Sequence, residues 1–544
     1  MTNSQAVPDR WIQPVSAEVD ADPAELGGKG SGLVLMRRLG LPVPPAFVIG
    51  TAACRAFLRD GRFPDGLDDE LAAAVTRLEA DTGRRLGGPG RPLVVSVRSG
   101  GAVSMPGMMN TILNLGLTTQ ATAALADETG DPRFALDSRL RFLTSFGAAV
   151  AGLDADRLEA VAGGHGDRLD DAVRAVEELI RERSAGPVPD RAGDQLRAAV
   201  EAVFRSWNTP RAKTYRELHD IAHDAGTAVT VQAMVFGNRD GHSGTGVAYS
   251  RNPNTGEPAP FGEVLIGRQG EDVVSGRSTT DPLAALGERE PEVWAELTAA
   301  LARLESHYRD ACYVEFTFES GRLWLLQVRP GRFVGRAAVR AAVDLVGESV
   351  IDRDEALLRV SPHHLRYTGT SRVAIGEGTD VLVRGLGACP GVAAGRVATT
   401  ADKAARMAAH GPVILVRPHT SPADMHGLAA AAGVVTARGG PTSHAAVVAR
   451  SMGKPAVVGA TELTVDEAGA SVRVDGRTLA EGEFVTIDGT GGEVVVGRAP
   501  VADETTDESL HRLLAWADEV SGRAAGGTDR ERLEAAREML RGGS

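Results

Sequence analysis

One run of residues constrains the fold more than any other: Gly433-Val-Val-Thr436, then Gly439-Gly-Pro-Thr-Ser-His444, then Ala445 through Met452, Gly453 and Pro455. A β-prone segment, a glycine pair and two hydroxyl residues ahead of an Ala/Val-rich stretch predict strand, turn and capped helix in that order. Gly453 supplies a C-terminal stop and Pro455 cannot continue the helix. Further strands are predicted at 413–416, 456–458 and 483–487, with helices between them and a tight glycine turn at 387–395. The stretch 384–497 therefore reads as a separate α/β unit.

The helix predicted over 445–452 places His444 in its first turn, beside the positive end of the helix dipole. Neutral imidazole is favoured there over imidazolium, and an anion carried on the ring is stabilised by backbone N–H groups. Neutral imidazole is the form that attacks phosphorus, so the position suits a phosphohistidine. Taken alone, it also fits a capped helix with an incidental His.

The remainder divides by pattern. At ~100–200 residues per domain, 544 residues predict three or four domains. The first hundred residues alternate short apolar runs with glycine-rich turns, 118–222 has helical spacing, and strands return at 228–236, 246–249 and 313–328. A helical segment at 336–358 leads into Pro362-His-His-Leu, which reads as a linker. After 496 the pattern fades into an acidic stretch and one or two arginine-rich helices.

The charge balance of −13 argues against a general nucleic-acid or anionic-membrane binder. No window approaches 18 uninterrupted apolar residues, residues 1–15 lack a signal-peptide core, and three scattered cysteines make no disulfide framework. The expectation is a cytoplasmic enzyme.

The cations are lopsided: four lysines (Lys29, Lys213, Lys403, Lys454) stand against 55 arginines. Lys29 sits in Gly27-Gly-Lys-Gly-Ser-Gly32. This is no Walker A loop, because Gly30 follows the lysine, yet a flexible glycine loop can still present a lysine to nucleotide phosphates. Arg98 ends a predicted strand and opens Arg98-Ser-Gly-Gly-Ala-Val-Ser-Met-Pro-Gly-Met-Met-Asn110, whose glycines let backbone approach a ligand. The same loop also reads as a source of core-filling methionines.

A hairpin is predicted over 313–329. A three-residue turn, Ser320-Gly-Arg322, sets Glu315 opposite Gln327 on one face, a hard-cation site with Arg329 two residues on. A two-residue turn separates them onto opposite faces.

Together these segments resemble the pyruvate, phosphate dikinase branch of the phosphoenolpyruvate-utilising enzymes. The resemblance is carried by Gly-Gly-Lys-Gly around Lys29, Val97-Arg-Ser-Gly, Ser104-Met-Pro-Gly-Met-Met109, Gly244-Thr-Gly-Val-Ala and Ser250-Arg-Asn-Pro. It continues through Gln269-Gly-Glu-Asp-Val-Val, Val314-Glu-Phe, Leu326-Gln-Val-Arg and Gly439-Gly-Pro-Thr-Ser-His444, in family order. Met-Pro-Gly-Met-Met favours the dikinase over the water-using phosphoenolpyruvate synthase.

The resemblance implies a multidomain α+β and α/β protein. An ATP-grasp nucleotide-binding domain would span 1–340, with a helical insertion at about 118–222. A linker would follow at 341–384, then a swivelling β/β/α phosphohistidine domain at 385–498 and a helical tail at 499–544. It further implies that Lys29, Arg98 and Arg329 bind ATP phosphates, that Glu315 and Gln327 hold Mg²⁺ while contacting the nucleotide, and that Glu271 is a weaker nucleotide contact. In the family the catalytic histidine, here His444, takes the β-phosphoryl of ATP, releasing AMP, while phosphate takes the γ-phosphoryl to give pyrophosphate. Thr442 matches the position at which dikinases are switched off by a regulatory kinase. Two departures are visible: Tyr313 stands where an acidic residue is common, and Ala102 where a second basic residue is often found.

Complete dikinases continue into a pyruvate- and phosphoenolpyruvate-binding barrel of ~250 residues. Only 44 residues follow Pro500, and Leu510 to Asp518 resembles the lead-in helix. The expectation is that His444 delivers its phosphoryl group to a separate barrel subunit or within a homo-oligomer. The alternatives are a dikinase-type kinase for another small molecule and a non-catalytic phosphohistidine regulatory protein.

Overall fold

The computed structural model describes residues 10–542 apart from 104, 106–107, 185, 275–279, 332, 334, 366–369, 377, 505–506 and 523–526. The chain divides into two compact units, one of residues up to 235 with 324–328, the other of residues 236–323 with 329 onward. The nucleotide domain expected over 1–340 is thus shared between both units. No helix among the described residues is long and apolar enough to cross a membrane.

The first unit is built on a five-stranded sheet, β1 (Ile12–Pro14), β2 (Ala46–Ile49), β3 (Val95–Gly100), β4 (Thr111–Leu115) and β5 (Ala228–Ala233), in the order β1-β2-β5-β3-β4. Helix α1 (Pro23–Arg38) and helix α2 (Leu67–Thr82) belong to it as well. Between β4 and β5 the chain inserts six helices, from Thr119–Thr129 to Pro210–Leu218. Their apolar faces share one core with the sheet, in which Phe142, Val176, Leu196 and Phe204 join Val97, Ile112 and Val231.

The glycine-rich run around Lys29 is not a flexible loop. It lies inside α1, which starts at Asp22, whose carboxylate accepts from the Ala24 N–H at 2.8 Å, and at Pro23, a favoured first helical residue. The helix kinks at Gly27 (φ 67°). A Cβ there would fall on the Gly100 carbonyl, so the glycine serves a close approach of helix to strand.

The second unit opens with antiparallel strands β6 (Gly244–Tyr249), β7 (Phe261–Ile266) and β8 (Cys312–Glu319), paired β7-β6-β8. A two-residue loop, Ser320–Gly321, leads to β9 (Arg322–Pro330), through whose middle the chain crosses into the first unit. Both loop residues have positive φ (50° and 76°), as a type I′ turn requires. This overturns the three-residue turn.

The helical segment expected at 336–358 forms α3 (Gly335–Gly347) and α4 (Arg353–Arg359), separated at Ser349 (φ 61°), and so reaches into the linker implied at 341–384. The tail forms α7 (Glu508–Ser521) and α8 (Asp529–Gly542). Val339, Leu345 and Leu357 pack in one cluster with Leu513, Trp516 and Leu533. Arg537 also donates to the Leu357, Leu358 and Val360 carbonyls at 2.8, 2.5 and 2.6 Å, satisfying the open end of α4. Tail and linker are therefore one helical layer, tied by apolar contacts far apart in sequence.

The remainder is built on an eight-stranded sheet: β10 (Val381–Arg384), β11 (Leu386–Cys389), β12 (Val392–Ala398), β13 (Val413–Arg417), β14 (Gly433–Thr436), β15 (Ala456–Val458), β16 (Phe484–Asp488) and β17 (Glu493–Val496). Its order is β10-β17-β16-β12-β13-β14-β15-β11, with β12 to β15 parallel. The glycine turn expected over 387–395 is mostly strand, reduced to the connection between β11 and β12. Helix α5 (Met425–Ala430) precedes β14, and α6 (His444–Met452) crosses from β14 to β15. Ala445, Ala446 and Ala449 seat α6 against Leu415, Val434 and Val458.

Lys454 donates from Nζ to the carbonyls of Leu428, Ala429 and Ala431, capping α5. Lys454→Met is expected to cost about 2 kcal/mol, since the α5 carbonyls lose a charged donor. Chemical denaturation checks it, and an unchanged midpoint would refute the capping role.

Candidate phosphohistidine site

In the parallel part of the sheet, a ligand site belongs outside the carboxyl ends of the strands, where crossover helices begin. His444 stands there. It is the first residue of α6, after Ser443 (φ −60°, ψ 163°), whose side chain makes no capping hydrogen bond. The Ser443 hydroxyl is buried and has no partner among the described residues.

The His444 ring is half-buried. Its Nδ1 lies 3.1 Å from the Thr420 hydroxyl, leaving Nε2 as the other ring nitrogen. Burial lowers the imidazole pKa, against a smaller upward pull from Asp424.

Sequence reasoning missed the neighbour of this turn. Thr442 is buried and donates its hydroxyl to the carboxylate of Glu263, in the middle of β7. Burial raises the Glu263 pKa, and the Thr442 hydrogen bond partly offsets that rise. A Cβ on residue 440 would fall on the same carboxylate, so Gly440 is the one residue type that admits it. Arg450 of α6 donates to the Ala388 carbonyl at 2.8 Å and lies 5.9 Å from the Tyr249 ring of β6. The Asn254 side-chain amide donates to the Gly387 carbonyl at 2.9 Å. The available signal was a glutamate in the apolar run Phe261-Gly-Glu-Val-Leu-Ile266, where a buried carboxylate needs a partner.

The other expected residues fall into two groups. In the first unit, Lys29 donates from Nζ to the Ser99 carbonyl at 2.7 Å. Arg98, on β3, donates to the Leu326 carbonyl and to Gln327 Oε1, each at 3.3 Å. The structure thus joins two residues far apart in sequence, and no local pattern announced the pairing.

In the second unit, Glu315 is half-buried on β8, and the Arg329 guanidinium stacks 4.2 Å from the centre of the Tyr313 ring. Burial works against the Arg329 charge, but Tyr313, Tyr249 and Glu315 more than offset it, and its pKa is raised. With a two-residue turn, regular pairing would put Arg329 on the face away from Tyr313. The buried positions of β9 run through Leu323 and Leu325, then resume at Val328, a one-residue slip of the kind a β-bulge makes. That slip returns Arg329 to the Tyr313 face.

Glu271 lies in the short helix Gly270–Val274, with its side chain outside the described residues. Ser104, Pro106 and Gly107 also lie outside them.

Known proteins match in the same order. The pyruvate phosphate dikinase AMP/ATP-binding domain family matches residues 58–295, and the mobile domain of PEP-utilising enzymes matches residues 409–492. Pyruvate, phosphate dikinase of Rhizobium meliloti (strain 1021) is 42% identical over 540 residues, covering 94% of this chain and 60% of that protein. Pyruvate, phosphate dikinase 2 of Oryza sativa subsp. japonica is 44% identical over 515 residues, covering 91% and 58%. The enzyme of Rickettsia conorii (strain ATCC VR-613 / Malish 7) is 41% identical over 514 residues, again covering 91% and 58%. The chain spans a little over half the length of these relatives. The nucleotide-binding match, the mobile-domain match that contains His444, and identity along nearly the whole chain make this chain similar to the pyruvate, phosphate dikinases among the PEP-utilising enzymes.

Proposed function

We propose that this chain catalyses ATP-dependent phosphorylation of His444, the first half of a pyruvate, phosphate dikinase reaction. His444 takes the β-phosphoryl of ATP and AMP leaves, while inorganic phosphate takes the γ-phosphoryl and leaves as pyrophosphate. The phosphohistidine then passes the group to pyruvate, giving phosphoenolpyruvate and free imidazole. The observation that carries this reading is the place of His444, at the first residue of α6 and desolvated.

The roles of individual residues follow from their chemistry. With its proton on Nδ1 and donated to the Thr420 hydroxyl, the ring keeps the Nε2 lone pair for attack. The first N–H groups of α6 face the charge that the ring acquires. Lys29, Arg98 and Arg329 supply cations for ATP phosphates, with Glu271 a weaker nucleotide contact. Glu315 and Gln327 offer oxygen donors suited to Mg²⁺, which when bound neutralises phosphate charge. Phosphorylation of Thr442 would place nearly two negative charges beside the buried Glu263 carboxylate, and so would break this contact.

Two measurements test the proposal. With inorganic phosphate present, incubation with ATP labelled at the β-phosphate should leave acid-labile, alkali-stable label on the protein, and γ-labelled ATP should leave none, because phosphate carries the γ-phosphoryl off as pyrophosphate; absence of β-label with or without inorganic phosphate would rule the reading out. The pH dependence follows from burial. Because the folded His444 pKa lies below the ordinary value of 6.5, the ring stays neutral as the pH drops past 6.5. The acid limb of the labelling rate should therefore lie below pH 6.5. In the same window the unfolded imidazole protonates first, so this residue's contribution to folding stability is lost as pH falls. A limb centred at or above 6.5 would contradict the assignment.

A further inference from the structure

A cavity of about 580 Å³ lies wholly within the first unit, bounded by residues 10–16, the last turn of α1, the start of β2 and one face of α2. This is within the size range of small-molecule sites. Ile12, Val15, Phe47 and Leu78 give it apolar walls, all four buried.

Arg37 reaches this space from α1. Its side chain makes no hydrogen bond and no ion pair among the described residues, and its Nε–H is buried without an acceptor. Burial presses its pKa down, with Asp81 opposing from beyond ion-pair distance. Arg10 and Arg77 also line the cavity, against Glu70 and Asp81. Glu70 is already committed, accepting from the Trp11 and Ile12 N–H groups at 2.9 and 3.0 Å. Three guanidinium groups against two carboxylates leave one positive charge uncompensated.

Folded proteins rarely leave a buried N–H without an acceptor or a half-buried cation without a counter-charge. The complement that satisfies both is one carboxylate, whose two oxygens match the guanidinium fork. The apolar walls call for a hydrocarbon body behind it. We infer that this cavity is a binding site for an amphipathic monocarboxylate, held by Arg37 through its carboxylate and by Phe47 and Leu78 through its apolar body. The inference does not depend on the phosphohistidine reading, since every residue it uses is in the first unit and none has a role in that reading.

The test uses octanoate as probe and 1-octanol as its uncharged counterpart, on the full chain, by ligand-observed NMR and calorimetry. Octanoate should bind saturably, with one site and a Kd below about 10 mM, and octanol should not displace it. Arg37→Met keeps the alkyl stem and removes the charge, and should weaken octanoate binding at least tenfold. Arg37→Lys keeps the charge without the fork and should give an intermediate loss, which also covers the case in which the methionine variant folds poorly. Failure to saturate, displacement by octanol at equal concentration, or equal binding by wild type and both variants would each overturn the proposal. Labelling of His444 should be unchanged in both variants.

Discussion

His444→Ala is expected to abolish protein-bound label from β-labelled ATP, a fall of more than ~10³-fold. In the proposed reaction the imidazole is the covalent carrier. Thr420 and Ser443 offer hydroxyl groups, which are poor nucleophiles without a base. The substitution should leave the fold intact, because the ring is half-buried and its one hydrogen bond is to Thr420. The α6 helix is seated by Ala445, Ala446 and Ala449, not by the histidine. Nucleotide binding should also persist, since the residues proposed to contact phosphate lie elsewhere in the chain. The informative result is therefore loss of label with retained ATP affinity and retained melting temperature. Label persisting in the alanine variant would move the phosphoryl carrier to another residue and sink the mechanism.

The second large effect is expected at Gly440. An added methyl group would land on the Glu263 carboxylate, a buried group held by Thr442. The strand and the turn before α6 must then separate, or the carboxylate must leave its hydrogen bond. Overpacking of this kind costs about 1–3 kcal/mol, or roughly 5–150-fold in any step that needs the contact. Gly440→Ala should therefore slow His444 labelling by at least about fivefold. Glu263→Ala removes the obstructing carboxylate, so the double variant should label faster than Gly440→Ala alone. Such recovery is a sign of direct coupling between the two positions. If Gly440→Ala labels at the wild-type rate, the Glu263–Thr442 contact has no part in phosphoryl transfer.

Legibility varied with the range of the interactions. The turn and helix around His444 were readable because capping, glycine stops and strand propensity act over a few residues. The first half of α1 was not, because six glycine-rich residues resemble a loop until the approach of Gly27 to Gly100 is known. The hairpin shows both sides of this. Alternation correctly predicted two strands, yet the turn has two residues, and only the slip within β9 restores Arg329 to the Tyr313 face. A bulge depends on how both strands meet the rest of the sheet, which alternation in one segment does not encode.

The rare lysines separate in the same way. Lys29 stood out by composition and lies against Ser99. Lys454 stood out equally, and its task of capping α5 emerges only when that helix is laid beside it.

By itself, then, the sequence determined the local strand–turn–helix that carries His444, the family resemblance, and the residue types suited to phosphate. The tertiary structure decided what those residues meet. It brought Glu263 to Thr442, Arg98 to Gln327, and the tail helices onto α3 and α4. Each of these pairs is distant along the chain and rests on burial, where a polar group must find a partner and an apolar face must be covered. Such demands select partners by position in space, and the order of residues alone does not state it.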